Sequence, residues 1–258
     1  MASALIGGLR RRGVAASAIE VVEPHAPTRD RLKAEFGIVA MPGAARALGR
    51  ADAVVWAVKP QNFREAAAQA RPHLSRQCLH LSVAAGIRTA SMEEWLGSGR
   101  IVRAMPNTPA LVAQGMTGLF ARESVTDADR AGVEQVIAPT GELLWVDAEE
   151  RLDAVTALSG SGPAYVFLFL EAMVQAGTEM GLRPEQARRL AIGTFSGAAR
   201  LARDSQEPLQ VLRERVTSKG GTTHAAITSM QADGVPQAFV RAMHAACQRA
   251  EEMGKDFG

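Results

Sequence analysis

Between Val216 and Ile227 the chain reads Val-Thr-Ser-Lys-Gly-Gly-Thr-Thr-His-Ala-Ala-Ile, four hydroxyl side chains and a lysine around a glycine pair, running into a helical pattern. A helix N-terminus presents unpaired amide N–H groups and the positive end of the macrodipole, so this turn suits an anion such as a carboxylate. Simple N-capping takes one hydroxyl, and four exceed it. Ligand binding by Thr217, Ser218, Gly220, Gly221, Thr222 and Thr223 is therefore favoured over capping alone. A second small, polar stretch, Leu-Ser-Gly-Ser-Gly-Pro-Ala-Tyr over residues 158–165, leads into a long apolar helix and adds Ser161 as a candidate.

Three further loops follow short apolar runs in the first half of the chain. They are Lys59-Pro60-Gln61, preceded by Ala57 and Val58; Ala84-Ala85-Gly86; and Met105-Pro106-Asn107-Thr108-Pro109. Singly, each reads as an ordinary turn. All three at the carboxyl ends of strands in one sheet are better explained by a shared ligand. The small side chains at Ala84, Ala85 and Gly86 let a flat ring approach the backbone, and Asn107 offers donors and acceptors to a carboxamide.

The elements that must position these loops alternate. Strands are predicted over residues 19–23, 38–41, 53–58, 79–83 and 101–104, the last closing the series. Helices are predicted over 29–36, from 44, and over 63–70 and 91–96. Continuous β-branched runs separated by helices imply a parallel sheet covered on both faces, hence a doubly wound, Rossmann-like α/β domain. After about Trp145 the pattern becomes almost wholly helical. Two domains are expected, 1–148 for a dinucleotide and 149–258 for dimerisation and substrate. The apolar stripe Phe239, Met243, Ala246, Ala250, Met253 reads as core or dimer interface.

Composition excludes several classes. Of 258 residues, 29 are Lys or Arg against 27 Asp or Glu, a net charge of +2, and aromatics are 5%. A nucleic-acid partner wants a cationic surplus and stacking platforms, so none is expected. Cys78 and Cys247 read as free, buried thiols in a reducing compartment. No metal site is expected. Residues 154–170 are interrupted by Gly160, Gly162 and Pro163 and fall short of the ~20 apolar residues of a membrane span, so no membrane partner is expected either. Arg10, Arg11 and Arg12 superficially suit a transit peptide, but an amphipathic helix explains that segment better, and a cytoplasmic location is expected.

The whole constellation resembles the pyrroline-5-carboxylate reductases. The strongest match runs from Pro208 through Val216-Thr217-Ser218 and Gly220-Gly221-Thr222-Thr223 to Met230-Gln231, and the four other motifs match in order and approximate spacing. The resemblance implies NADPH or NADH as cofactor, a cyclic imine as substrate, and an intertwined homodimer that assembles further. It implies a substrate carboxylate gripped by the turn from Ser218 to Thr223, with Ser218 and Thr223 as catalytic residues and Thr223 bonded to the imine nitrogen. His224 is the rival acid; adjacent helical residues point about 100° apart, so it is read as a surface or packing residue. Two alternatives stay open: reduction of a different cyclic imine, and a ligand-binding helical dimer with a vestigial nucleotide domain.

Three features depart from the family pattern. Lys219 stands where many members carry proline. Glu23 ends a predicted strand where NADPH-preferring members carry a small or polar residue; a carboxylate there accepts from ribose hydroxyls and repels a 2′-phosphate, unless His25 and Arg29 offset it. The family's opening strand and Gly-Gly-Gly-Asn-Met-like turn have no counterpart. Met1 aligns with the last residue of that turn, leaving Met1 and Ala2 at a helix start as the nearest pyrophosphate contacts. The expectation is that Met1 is an internal methionine preceded by roughly a dozen residues, without which the cofactor binds more weakly.

Overall fold

The computed structural model describes residues 1–44 and 46–257. Helix α1 (Ala2–Arg11) opens the chain and packs through glycine: a Cβ on Gly8 would lie 2.9 Å from Pro139 Cβ. Helix α2 (Ala26–Phe36) stops at Gly37, whose φ of +70° is left-handed and favours a residue without Cβ. Strand β1 (Ala53–Trp56), helix α3 (Pro60–Ala70), strand β2 (Leu79–Ser82), helix α4 (Thr89–Leu96) and strand β3 (Ile101–Met105) follow as expected. Proline at the first position of α3 loses no hydrogen bond, because that amide has no helical partner. Strand β4 (Gly115–Ala121), helix α5 (Asp127–Ile137, with a Thr126/Asp129 capping box) and strand β5 (Gly141–Trp145) complete a five-stranded sheet in the order β1-β2-β3-β4-β5.

The sheet corrects the sequence reading in three places. The series does not close at β3: two more strands follow, and β4 runs antiparallel to β3, so the sheet is mixed. Residues 19–23 and 38–41 do not join it; they meet in a single parallel bridge, Val22 to Met41. The helix expected from residue 44 lies partly outside the described residues at position 45, and Arg46–Arg50 form a short 3-10 helix.

Alternation along the strands builds two cores. Leu79, Leu81, Val102 and Leu119 join Leu5 of α1 and Val133 and Ile137 of α5 on one face. Trp56 and Ile101 join Phe63 and Ala67 of α3 and Met92 and Leu96 of α4 on the other. His80 and Arg103 occupy alternate positions within this pattern, 1% and 3% exposed, and must therefore be satisfied internally.

After β5 come helix α6 (Arg151–Val155), one π-helical turn (Thr156–Gly160), and helices α7 (Gly162–Glu179), α8 (Pro184–Asp204), α9 (Leu209–Arg215), α10 (Thr222–Ala232) and α11 (Val235–Asp256). The chain forms two compact units: Met1–Ser161 with the residues from Ala245 onward, and Gly162–His244. The division falls later than the boundary expected at 148/149, and α11 starts in the second unit and ends in the first.

Within the second unit α7 packs on α8, Gly177 against Ala187, and Phe239 contacts Tyr165 and Phe169 with ring centroids 6.0 and 5.7 Å apart. Phe167 and Leu168 on α7 nevertheless stay 58% and 62% exposed in the single chain. The expectation that this region is too short and broken to span a membrane needs correction on length. The helical stretch Arg151–Glu179 is long and apolar enough to cross one by length and composition alone. Its glycines and proline are absorbed by the π-turn and the first turn of α7, where proline is tolerated.

Two predictions arise from this framework. Gly141 has φ +142°, and a Cβ there would lie 2.1 Å from Gly115 O. Gly141→Ala should cost about 3 kcal/mol or more and lower the melting temperature by roughly 6–12 °C; a melt within 2 °C of the parent would contradict the packing.

His80 Nδ1 accepts from Trp56 Nε1 at 3.2 Å, and burial, reinforced by the Arg100 guanidinium, pushes the ring's pKa from 6.5 down to about 4. The fold holds the ring neutral, so the stability is full above pH 6.5, declines as the unfolded chain takes up the proton first, and levels off below about pH 4. This group should account for about 3 kcal/mol of acid sensitivity. In pH-resolved melts His80→Asn should lose less stability than the parent between pH 6.5 and 4, whereas parallel curves would refute the assignment.

Candidate active site

The parallel registers Trp56 to Ser82 and Ser82 to Arg103 bring the ends of β1, β2 and β3 to one edge of the sheet. The three loops singled out in the sequence leave from that edge. After β1 come exposed Ala57, half-buried Val58, exposed Lys59 and half-buried Pro60, which opens α3; no side chain caps that helix. After β2, Ala84 is buried and its N–H donates to Ser82 Oγ at 3.2 Å, Ala85 is half-buried, and Gly86 takes φ +74°. Of the three small residues, Ala84 and Gly86 are buried and Ala85 alone is partly exposed.

Asn107, after β3, is already engaged. Its Nδ2 donates to Ser159 O at 3.0 Å and its Oδ1 accepts from Met116 N at 2.9 Å, so it ties β4 to the π-turn. One amide hydrogen and one lone pair are left over for a carboxamide. Met1 and Ala2 stand at the start of α1, where the Met1 carbonyl accepts from Ala4 N and Leu5 N. Glu23 is half-buried beyond the Val22–Met41 bridge, and its Oε1 accepts from His25 N at 2.8 Å. Arg29 Nη1 donates to the Glu23 and Pro24 carbonyls at 3.0 and 2.6 Å, which holds it on the backbone beside Glu23.

Behind the loops lies a buried ionic network that the motif reading missed. Arg103 Nη1, inside β3, donates to Glu149 Oε1 at 3.0 Å. Burial pulls the pKa of this guanidinium below its ordinary value, and Glu149 opposes the shift. The same carboxylate accepts from Thr89 N at 2.8 Å and Thr89 Oγ1 at 2.6 Å, gripping the first residue of α4. Arg88, next in line, donates to Asp153 Oδ2 of α6 at 2.5 Å. One signal was available: a lone arginine in the apolar run Ile101-Val-Arg-Ala-Met requires a carboxylate somewhere in the fold. The π-turn was also missed. Ser161 N donates to Thr156 O across it at 2.8 Å, and a Cβ on Gly160 would lie 2.6 Å from Met105 Cε. Such insertions recur at functional sites.

In the second unit, the turn ahead of α10 has the form expected of an anion site. Gly221 is the N-cap of α10, yet no side chain caps the helix. Gly220 takes φ +74°, and Gly221 N donates to Ser218 O at 3.0 Å. Ser218 Oγ lies over Gly221, where a Cβ would come within 2.8 Å. Thr217 Oγ1 is spent on Arg213 O at 2.6 Å. Thr222 and Thr223 are exposed in the first turn of α10, as is His224. The opening amides and two threonine hydroxyls are thus presented outward. Ser161 belongs to the first unit and is half-buried at the end of the π-turn.

Comparison with known proteins covers both units. The family model described as pyrroline-5-carboxylate reductase dimerisation matches residues 149–253, and the one described as NADP oxidoreductase coenzyme F420-dependent matches residues 1–86. A pyrroline-5-carboxylate reductase of Pseudomonas aeruginosa is 46% identical over 100% of this chain and 95% of its own length; one of Corynebacterium melassecola is 38% identical over 98% and 94%. Among solved structures, a pyrroline-5-carboxylate reductase from Coxiella burnetii superposes with a TM-score of 0.91 at 36% identity, covering 98% of this chain and 94% of that one. The Plasmodium falciparum pyrroline carboxylate reductase, solved with NADP bound, gives 0.82 at 30% identity, covering 98% and 96%. Identity at this level, sustained over both the α/β and the helical unit, makes this chain a member of the pyrroline-5-carboxylate reductase family.

Proposed function

We propose that the chain reduces 1-pyrroline-5-carboxylate to L-proline, the last step of proline biosynthesis, as a cytoplasmic homodimer. The observation that carries the substrate side is the α10 N-terminus, uncapped by any side chain and furnished with outward threonine hydroxyls. Its amides and dipole suit the substrate carboxylate, with Ser218, Gly220, Gly221 and Thr222 shaping the turn and Thr217 pinning it to α9. In this reading Thr223, exposed in the first turn of α10, hydrogen-bonds the ring nitrogen, orienting the imine and stabilising the proton on it.

A reduced nicotinamide, when bound, supplies the hydride. The chain offers it the three strand-end loops. Lys59 and the start of α3 suit its phosphates, and the small residues Ala84, Ala85 and Gly86, with Ala85 partly exposed, suit the face of a flat ring. Ala57, Val58 and Pro60 shape the adjoining wall, and the amide capacity left on Asn107 remains for the carboxamide. The apolar surface of α7 supports the dimer: a second copy covers Phe167 and Leu168 as no element of the single chain does. Assembly of such dimers into larger rings is part of the same proposal.

Thr223→Ala should lower kcat by about 10–100-fold with cofactor affinity unchanged, read from steady-state kinetics beside fluorescence titration of the reduced cofactor. Full turnover in that variant would remove Thr223 from the mechanism.

Glu23 bears on the choice of cofactor. Its carboxylate is held at the strand end by His25 N, and Arg29 is committed to backbone carbonyls, so the repulsion of a 2′-phosphate is only partly offset. Glu23→Ser should move the NADPH:NADH ratio of kcat/KM about tenfold towards NADPH. A ratio that does not move would place the ribose elsewhere.

A further inference from the structure

The loop after β2 is held from two sides. From one side, Arg88 Nη2 donates at 2.5 Å to Asp153 Oδ2, and Asp153 is 2% exposed on α6. Glu149 grips Thr89 through both its N–H and its hydroxyl. From the other side the end of α11 closes on the same residues. A Cβ on Gly86 would lie 3.1 Å from Met253 Cβ and 3.1 Å from Phe257 Cδ2, and one on Gly254 would lie 2.7 Å from Arg88 Nε. Glycine at 86 lets the loop backbone pack directly on Met253 and Phe257, and glycine at 254 lets the Arg88 guanidinium lie on the α11 backbone.

This arrangement is poorly suited to stability alone. Arg88 Nη1 and Asp153 Oδ1 are both buried without a hydrogen-bond partner, so half of a possible two-pronged pair goes unused. Apolar residues of similar volume hold helices together at least as well as a buried ion pair. What an ion pair adds is direction: it fixes a planar guanidinium, and with it the backbone two residues after Gly86.

We propose that Arg88, anchored on Asp153 and seated against Gly254, is a positioning residue for hydride transfer. It sets the placement of the Ala84-Ala85-Gly86 backbone against which the cofactor ring lies. The inference rests on the proposed reading of that loop as the nicotinamide's platform. Transfer depends steeply on distance and angle, and a misplacement of about 1 Å can cost on the order of 10²-fold in rate. Because α11 begins in the helical unit and ends on Arg88, the same helix links that unit covalently to the platform.

The test uses the homodimer of the whole 258-residue chain and 4-deuterated reduced cofactor. Arg88→Met should lower kcat about tenfold and enlarge the primary deuterium isotope effect on kcat, while changing the cofactor Kd by less than about threefold. Arg88→Lys should recover most of the loss. Gly254→Ala, whose added methyl would press on Arg88 Nε, should move kcat and the isotope effect in the same direction; it decides the matter alone if Arg88→Met does not fold. A folded Arg88→Met with parental kcat and isotope effect overturns the proposal. So does a lower kcat with an unchanged isotope effect, which is what a purely structural role gives. Ala85→Leu separates the underlying reading. If it leaves the cofactor Kd at the parental value, the platform itself is misassigned, whatever Arg88 does.

Discussion

A charged guanidinium buried in the middle of a β-strand constrains everything built around it. Arg103 is 3% exposed within β3, and a charge taken out of water at that depth is tolerable only beside a counter-charge. The partner, Glu149, comes from the segment that follows β5, so the chain must finish its sheet before the arginine is satisfied. Glu149 then takes both hydrogens of Thr89 and so locks α4 to the same point. One carboxylate thereby joins β3, the start of α4 and the approach to α6.

That junction lies behind the strand ends where the loops emerge. Parallel pairing of β1, β2 and β3 brings three loops to one edge, and the ionic network stiffens the middle one from behind. Asn107 performs the corresponding task on the third loop with a neutral amide, joining β4 to the π-turn. The extra residue of the π-turn is also what brings Gly160 against Met105. Polar side chains close to the edge are thus spent largely on holding backbone in place.

The helical unit follows another logic. Its apolar surface exceeds what one chain covers, with Phe167, Leu168, Leu190 and Leu201 among the exposed side chains, and family membership through a dimerisation domain accounts for the excess. A helix this apolar satisfies length and composition criteria for a membrane segment as well as those for an interface.

Much of this was legible in the residues themselves. Periodicity located α2, α3 and α4 and strands β1 to β3, since local burial patterns follow from 3.6- and 2-residue repeats. Composition marked the turn before α10, because four hydroxyls and two glycines in seven residues exceed what capping requires. The strands β4 and β5 were missed: Gly115-Met-Thr-Gly-Leu-Phe-Ala and Gly141-Glu-Leu-Leu-Trp carry glycine and polar residues at positions that only tertiary packing excuses. Residues 19–23 failed in the opposite sense, since a strand exists only when a neighbour completes its ladder, and here a single bridge forms. The pairing of Arg103 with Glu149 and of Arg88 with Asp153 spans 46 and 65 residues of chain. By itself the sequence determined which side chains could do chemistry and which helices would form, because both depend on residue type and short-range spacing. Only the tertiary structure decided which charges meet, which amides are already spent, and which loop residues are covered, because those depend on distances between elements far apart in the chain.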